Sequence, residues 1–251
     1  MIQRTAHCEE TMDYELYYWP GFPGRGEFIR LALEAGDADY IDIGNASPEG
    51  AEAVVALLQG GQDGHPHFAP PLLKAGGLTL SHVANILFWL GPRLNLVPDD
   101  DESRQWANGL QLTVTDFTAE VHDLHHPLGP SLYYEEQKAE ARRRADAFID
   151  ARLPRFLHYF EQALTHNAKN GDYLVGRRLS YVDLSLFHMV QGLRYALPNA
   201  MAASEASVPR VIALHDSVRE LPLIDEYLTS ERRLPFGETG IFRHYPALDM
   251  A

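Results

Sequence analysis

The sequence predicts a two-part chain: an α/β domain of element order β-α-β-α-β-β-α, followed by an all-α helical bundle. Three observations carry this. Short strand-like runs occur only in the first third of the chain. A strand, a helix and a second strand fit between Tyr14 and Ile43, the compass of one parallel βαβ unit. From Ser103 onward only helical periodicity remains. Between the two parts lies a polar stretch with the acidic run Asp99-Asp100-Asp101-Glu102. The expected organisation is a loose tail at 1–12, an α/β domain at 13–91, a linker at 92–102 and a helical domain at 103–251.

Each element has its own signal. Tyr14, Leu16 and Tyr18 alternate with Glu15 and Tyr17, which predicts a half-buried strand. Pro20-Gly21-Phe22-Pro23-Gly24 breaks it. Phe28, Ile29, Leu31, Ala32 and Leu33 follow at helical spacing, and Gly36 is a natural stop. Tyr40–Ile43 reads as the second strand. Ser47-Pro48-Glu49 predicts a capped helix running to about Gln59. Leu72-Leu73-Lys74 and Leu78-Thr79-Leu80 around Ala75-Gly76-Gly77 predict a hairpin, with Ser81 capping the helix that carries Ile86, Leu87 and Leu90. Further helices are expected near 103–126, 134–166 with a bend at Pro154, 180–195, 208–220 and 222–230, before an irregular tail from Glu231. Ser180-Tyr181-Val182-Asp183 is an S-x-x-D capping box, assigned to folding.

Composition excludes several functions. The formal charge is −14, and an acidic chain repels phosphate backbones and anionic membranes, so neither nucleic acid nor membrane is an expected partner. The one cysteine, Cys8, allows no internal disulfide, no Cys-x-x-Cys pair and no thiolate-rich zinc site. The opening MIQRTAHCEETMD lacks the apolar core of a signal peptide, and no run of about 18 apolar residues occurs. A reducing, cytoplasmic compartment is the expectation.

Three segments carry a resemblance to a known family. Tyr14–Gly36, YELYYWPGFPGRGEFIRLALEAG, resembles the opening strand and helix of the tyrosine-type soluble glutathione S-transferases. Phe68–Gly91 resembles that family's cis-proline strand, hairpin and third helix. Tyr173–Val190, with Val208–Leu228 as a weaker fourth match, resembles helices of its second domain. The resemblance implies a thioredoxin-like first domain and glutathione as substrate or cofactor. It also implies a small electrophilic organic substrate and a homodimer.

The resemblance implies roles for particular residues. Tyr18, before Trp19-Pro20, matches the tyrosine whose hydroxyl donates a hydrogen bond to the glutathione sulfur and favours its thiolate. Arg25 opens the first helix beside it, where its charge favours an anion. Glutathione-binding positions are Pro70 and Pro71, with the cis bond before Pro71, then Ser81, His82 and Val83 at a helix N-terminus suited to the γ-glutamyl carboxylate. Two departures stand out: Pro70 has no N–H to donate, and Val83 has no hydroxyl where the family usually has serine or threonine. Asp116 matches an aspartate that reaches the partner's glutathione. Trp19, His122, His125 and His126 are candidates for the acceptor-substrate pocket, with Tyr133 and Tyr134 as a possible aromatic wall. His122 and His126 have the i, i+4 spacing of a metal pair, but no carboxylate stands at a metalloenzyme spacing, so no metal is expected.

The function expected is activation of the glutathione thiol for attack on a small electrophile. Two alternatives use the same residues differently: a glutathione-dependent trans/cis double-bond isomerase in a small-molecule pathway, or a non-catalytic binding protein that kept the fold.

Overall fold

A computed structural model describes residues 14–60 and 64–249. The expected polar tail at 1–12, with Cys8, lies outside the described residues. The elements are β1 (Tyr14–Tyr17), α1 (Glu27–Ala35), β2 (Tyr40–Asp42), α2 (Ile43–Ala46), α3 (Gly50–Leu58), β3 (Leu72–Ala75), β4 (Leu78–Ser81), α4 (Val83–Arg93), α5 (Asp101–His122), α6 (Lys138–Ala147), α7 (Leu153–Asn167), α8 (Tyr181–Ala196), α9 (Pro198–Glu205), α10 (Pro209–Arg219) and α11 (Pro222–Thr229). The sheet has order β2-β1-β3-β4. β1 pairs parallel with β2 and antiparallel with β3, placing Tyr17 opposite Leu72. This is the thioredoxin-like sheet followed by the helical bundle that the sequence predicts. Among the described residues no helix is long and apolar enough to cross a membrane.

Both faces of the sheet are covered. Tyr14 and Leu16 pack with Ile29, Leu33, Leu73, Ile86 and Leu90 on the α1–α4 face. Tyr17 packs with Val54, Leu57 and Leu72 under α3. The alternation along β1 therefore separates two buried faces, not a buried face from a wet one, because α3 closes the second side. Helix α1 is shared between the two parts of the molecule. Its Ile29 and Leu33 face the sheet, while Phe28, Leu31 and Ala32 join the core around α5, α7, α8 and α10.

Polar contacts fix α1 to the end of the bundle. Buried Arg30 donates to Asp42 at 2.8 Å and to the Pro23 carbonyl at 3.0 Å. Glu27 accepts from the Tyr227 hydroxyl at 3.0 Å and pairs with Arg233 at 3.1 Å. Residues 231–245 contain no helix, yet they are packed: Ile241 and Phe242 are buried, as is Leu248 in the turn that follows. Asp249 accepts from the Asn199 and Ala200 amides at 2.8 and 3.0 Å, capping α9 from the far end of the chain.

Several boundaries differ from the sequence expectation. Ser47 does not cap a helix; its carbonyl accepts from Gly50, where α3 starts. Ser81 ends β4 instead of capping α4, and His82 is the cap, at φ 74. The expected helix at 134–166 is a short turn at 134–136, α6, a π-turn at Phe148–Arg152 and α7. The π-turn directly precedes Pro154, whose missing N–H interrupts the i→i−4 ladder there. Helix α5 ends at His122, so His125 and His126 lie just beyond it.

Candidate active site

The site grows from the end of β1. Tyr18 is 4% exposed, and its hydroxyl accepts the Arg25 backbone N–H at 2.8 Å. The ring fits only because Gly24 and Gly26 lie over it. A Cβ on Gly26 would come within 2.8 Å of the ring, and one on Gly24, which has φ +47, would collide with the hydroxyl. Asn45 accepts the Gly21 N–H at 2.9 Å, and Arg30 holds the Pro23 carbonyl. The loop between β1 and α1 is thus anchored on both sides. Burial raises the Tyr18 pKa, and the Arg25 N–H and the charges of Arg25 and Arg30 oppose that rise. The hydroxyl stays protonated at neutral pH and, its lone pair taken by Arg25, has its own proton to give.

The second wall comes from the hairpin. The Pro70–Pro71 peptide bond is cis. At the start of α4 the His82 cap makes no side-chain bond to the helix, so the first N–H groups of α4 lack a protein cap and suit an anion. Helix α5 forms the third wall.

These walls enclose a cavity of about 400 Å³, within the range of small-molecule sites. Of the residues predicted from sequence, Arg25, Pro70, Pro71, Ser81, His82 and Val83 line it together. Five lining residues of α5, Gln111, Val114, Thr115, Thr118 and Ala119, were not predicted, nor were Phe28 and Phe68. Their signal in the sequence is faint: Gln111 is a polar residue beside the buried stripe of Ala107, Leu110, Val114 and Phe117.

Other predicted residues sit elsewhere. Tyr18 lies buried beside Arg25. Trp19 packs with the cluster of Tyr17, Val54 and Leu57. Asp116 is exposed on α5 near Arg152, which Glu120 holds at 2.6 and 2.9 Å. Tyr134 stacks on Tyr245 of the C-terminal segment at 3.9 Å, and Tyr133 is exposed.

His122, His125 and His126 do cluster, with ring centroids 4.8 to 5.3 Å apart. His125 donates from Nε2 to the Ile241 carbonyl at 2.9 Å. Burial lowers the pKa of all three, with Arg25 acting on His122 and Arg243 on His125 and His126, and His125 falls to about 3. All three are neutral at pH 7. Among the described residues no group of three or more His, Cys, Asp or Glu is arranged to hold a metal.

The histidines predict acid lability. His125 binds its proton more weakly folded than unfolded, so its contribution is intact above the unfolded value of 6.5 and is lost as pH falls toward about 3. At about pH 5 this one group lowers stability by about 2 kcal/mol. The melting temperature should therefore fall between about pH 7.5 and pH 5, and His125→Gln should narrow that fall. An equal fall in both proteins would remove His125 as its cause.

The model of the family described as "Glutathione S-transferase, C-terminal domain" matches residues 122–231. Glutathione S-transferase A1 of Bos taurus is 26% identical over 229 residues, covering 90% of this chain and 93% of its own. Glutathione S-transferase P 1 of Xenopus laevis is 27% identical over 224 residues, covering 88% and 93%. Two solved structures share the fold. The Pi-class glutathione S-transferase of Onchocerca volvulus superposes with TM-score 0.66 at 21% identity, covering 85% of this chain and 91% of that one. The prostaglandin synthase D of Nilaparvata lugens gives 0.68 at 20% identity, covering 89% and 100%.

Proposed function

Because the chain belongs to the glutathione S-transferase superfamily, we propose that it binds glutathione in the cavity between the sheet domain and α5 and activates the thiol for attack on a small electrophile. The observation that carries this is the convergence of Arg25, Pro70, Pro71, Ser81, His82 and Val83 on one cavity, next to a tyrosine hydroxyl whose proton is free to donate.

In this reading the γ-glutamyl carboxylate meets the uncapped N-terminus of α4. The Pro70 carbonyl accepts from the cysteinyl N–H. The thiol gives its proton to solvent, and the thiolate accepts a hydrogen bond from Tyr18 while the Arg25 guanidinium favours its charge. The thiolate then forms a carbon–sulfur bond to the acceptor, which either expels a leaving group with its bonding pair or shifts its π pair and takes a proton from solvent. The acceptor enters at the Arg25 end of the cavity, on the side where the Arg25 charge acts on His122. Trp19 packs, partly buried, under α3. The relatives matched by sequence are named glutathione S-transferases, which favours conjugation over isomerisation. We place the reaction in the cytoplasm. Calorimetric titration with glutathione, followed by a conjugation assay with an aryl halide, tests the proposal. Saturable binding with turnover is expected; no heat at millimolar glutathione would overturn it.

The proposal includes a homodimer. Phe68, at the rim of the cavity, is fully exposed, and Trp106 and Leu112 are exposed apolar residues on α5. A second copy covering these surfaces would also bring its Asp116 toward this site. Sedimentation should give about twice the chain mass of 28.2 kDa, and Phe68→Ser should shift the protein toward the single-chain mass. A wild-type protein of single-chain mass at micromolar concentration would contradict the dimer.

A further inference from the structure

We propose that Gln111 is a glutathione-binding residue: its side-chain amide, presented by the helical part of the molecule, meets the α-amino and α-carboxylate groups of the γ-glutamyl end. The inference rests on the reading of this cavity as the glutathione site and assigns it a residue that neither the sequence motifs nor that reading contains.

Gln111 lines the cavity and is 0% exposed, and among the described residues neither Oε1 nor Nε2 has a hydrogen-bond partner. A buried amide left unpaired is destabilising, so native proteins rarely keep one without a use. Its neighbours on the same wall do not meet the need. The Thr115 hydroxyl donates to the Gln111 carbonyl at 3.1 Å and the Thr118 hydroxyl to the Val114 carbonyl at 2.8 Å; Phe28, Val114 and Ala119 are apolar. The one side chain on this wall with an open donor and an open acceptor is Gln111.

Its height in the cavity identifies what it meets. Helices α4 and α5 are joined by the short segment 94–100, so they run antiparallel as neighbours. Val83 begins α4 ten residues before its end at Arg93, and Gln111 stands ten residues after the start of α5 at Asp101. Gln111 is therefore level with Val83, at the uncapped N-terminus of α4, and about 12 Å along the helix from Ala119 at the other end of the cavity. Val83 offers only its backbone N–H there. An amino acid zwitterion has both an acceptor and a donor: its carboxylate accepts from Nε2 and its ammonium donates to Oε1. An apolar acceptor substrate would satisfy neither atom. Gln111 thus supplies, from the opposite wall, the side-chain hydrogen bond that Val83 lacks.

The test is a titration of wild type, Gln111→Met and Gln111→Glu with three peptides: glutathione, glutaryl-Cys-Gly, which lacks the α-amino group, and 4-aminobutyryl-Cys-Gly, which lacks the α-carboxylate. Gln111→Met should weaken glutathione roughly 10- to 100-fold, the equivalent of one or two charge-assisted hydrogen bonds, with a smaller loss for each truncated peptide. Its ligand-free melting temperature should equal or exceed that of wild type, because the variant removes an unpaired buried amide. Gln111→Glu keeps the acceptor and loses the donor, so it should weaken glutathione and spare 4-aminobutyryl-Cys-Gly. Unchanged glutathione affinity in Gln111→Met, an equal loss for all three peptides, or a lowered melting temperature without a change in affinity would overturn the inference alone. A wild-type protein that binds no glutathione would overturn the cavity assignment and the inference with it.

Discussion

Replacing Tyr18 by phenylalanine is expected to lower conjugation turnover by about 10- to 1,000-fold, or roughly 1.4–4 kcal/mol of barrier, while glutathione affinity changes little. The size follows from where the hydroxyl sits. It is buried, fixed by the Arg25 N–H at 2.8 Å, and kept protonated by burial. The Arg25 N–H takes one acceptor position on the oxygen, and the hydroxyl proton is left to donate, beside a residue that lines the cavity. Phenylalanine fills the same space beneath Gly24 and Gly26, so the fold should hold, and the effect should fall on the step in which sulfur carries charge. A neutral ground-state thiol gains far less from that donor, which is why binding changes little. A Tyr18→Phe enzyme with wild-type turnover would take Tyr18 out of the mechanism and leave Arg25 as the group that favours the thiolate.

The largest effect on stability is expected at Asp183. Its Oδ1 accepts the Leu174 N–H at 2.8 Å, and its Oδ2 accepts the Ser180 N–H at 2.7 Å and the Ser180 hydroxyl at 2.6 Å. Asp183 and Ser180 are both 0% exposed. Alanine removes the cap of α8 and leaves buried donors unpaired, with a loss of about 2–5 kcal/mol. The lower end of that range reflects the carboxylate's own burial, which pushes its pKa up to about 6 against the pull of the Ser180 and Leu174 bonds. For a chain of this size the melting temperature should drop by roughly 4–20 °C. Asp183→Asn, which retains one acceptor oxygen, should fall between. Glutathione affinity measured well below the transition should be unchanged in both variants. An Asp183→Ala protein that melts like wild type would contradict the account of this box.

The parts of the molecule legible in the sequence are those set by neighbours along the chain. The capping box at Ser180–Asp183 closes over three residues, and the hairpin at Leu72–Ser81 over a few more, so both could be read locally. Helix ends set by distant contacts could not. Helix α9 opens on Pro198, a local signal, but the amides of its first turn are met by Asp249, about fifty residues on. His82 at positive φ displaced the cap expected at Ser81, because the chain must turn sharply from β4 into α4. Tyr17 looked like the exposed phase of a strand until α3 covered that face. At the site, the residues on the β1–α1 loop and the hairpin carry recognisable local motifs. Gln111, Thr115 and Thr118 carry none: they reach the cavity only because α5 packs against α4 and α8, a tertiary event that helical periodicity does not encode. The burial of Gln111 and its open donor and acceptor belong to the folded molecule.

The central claim is that this protein binds glutathione and lowers the pKa of its thiol. The direct measurement is a pH titration of the near-ultraviolet thiolate absorbance of glutathione bound to the protein, with free glutathione as reference. The account predicts a bound thiol that ionises at lower pH than the free peptide, and a Tyr18→Phe protein in which much of that shift is gone. A bound thiol that titrates with the free peptide would contradict it.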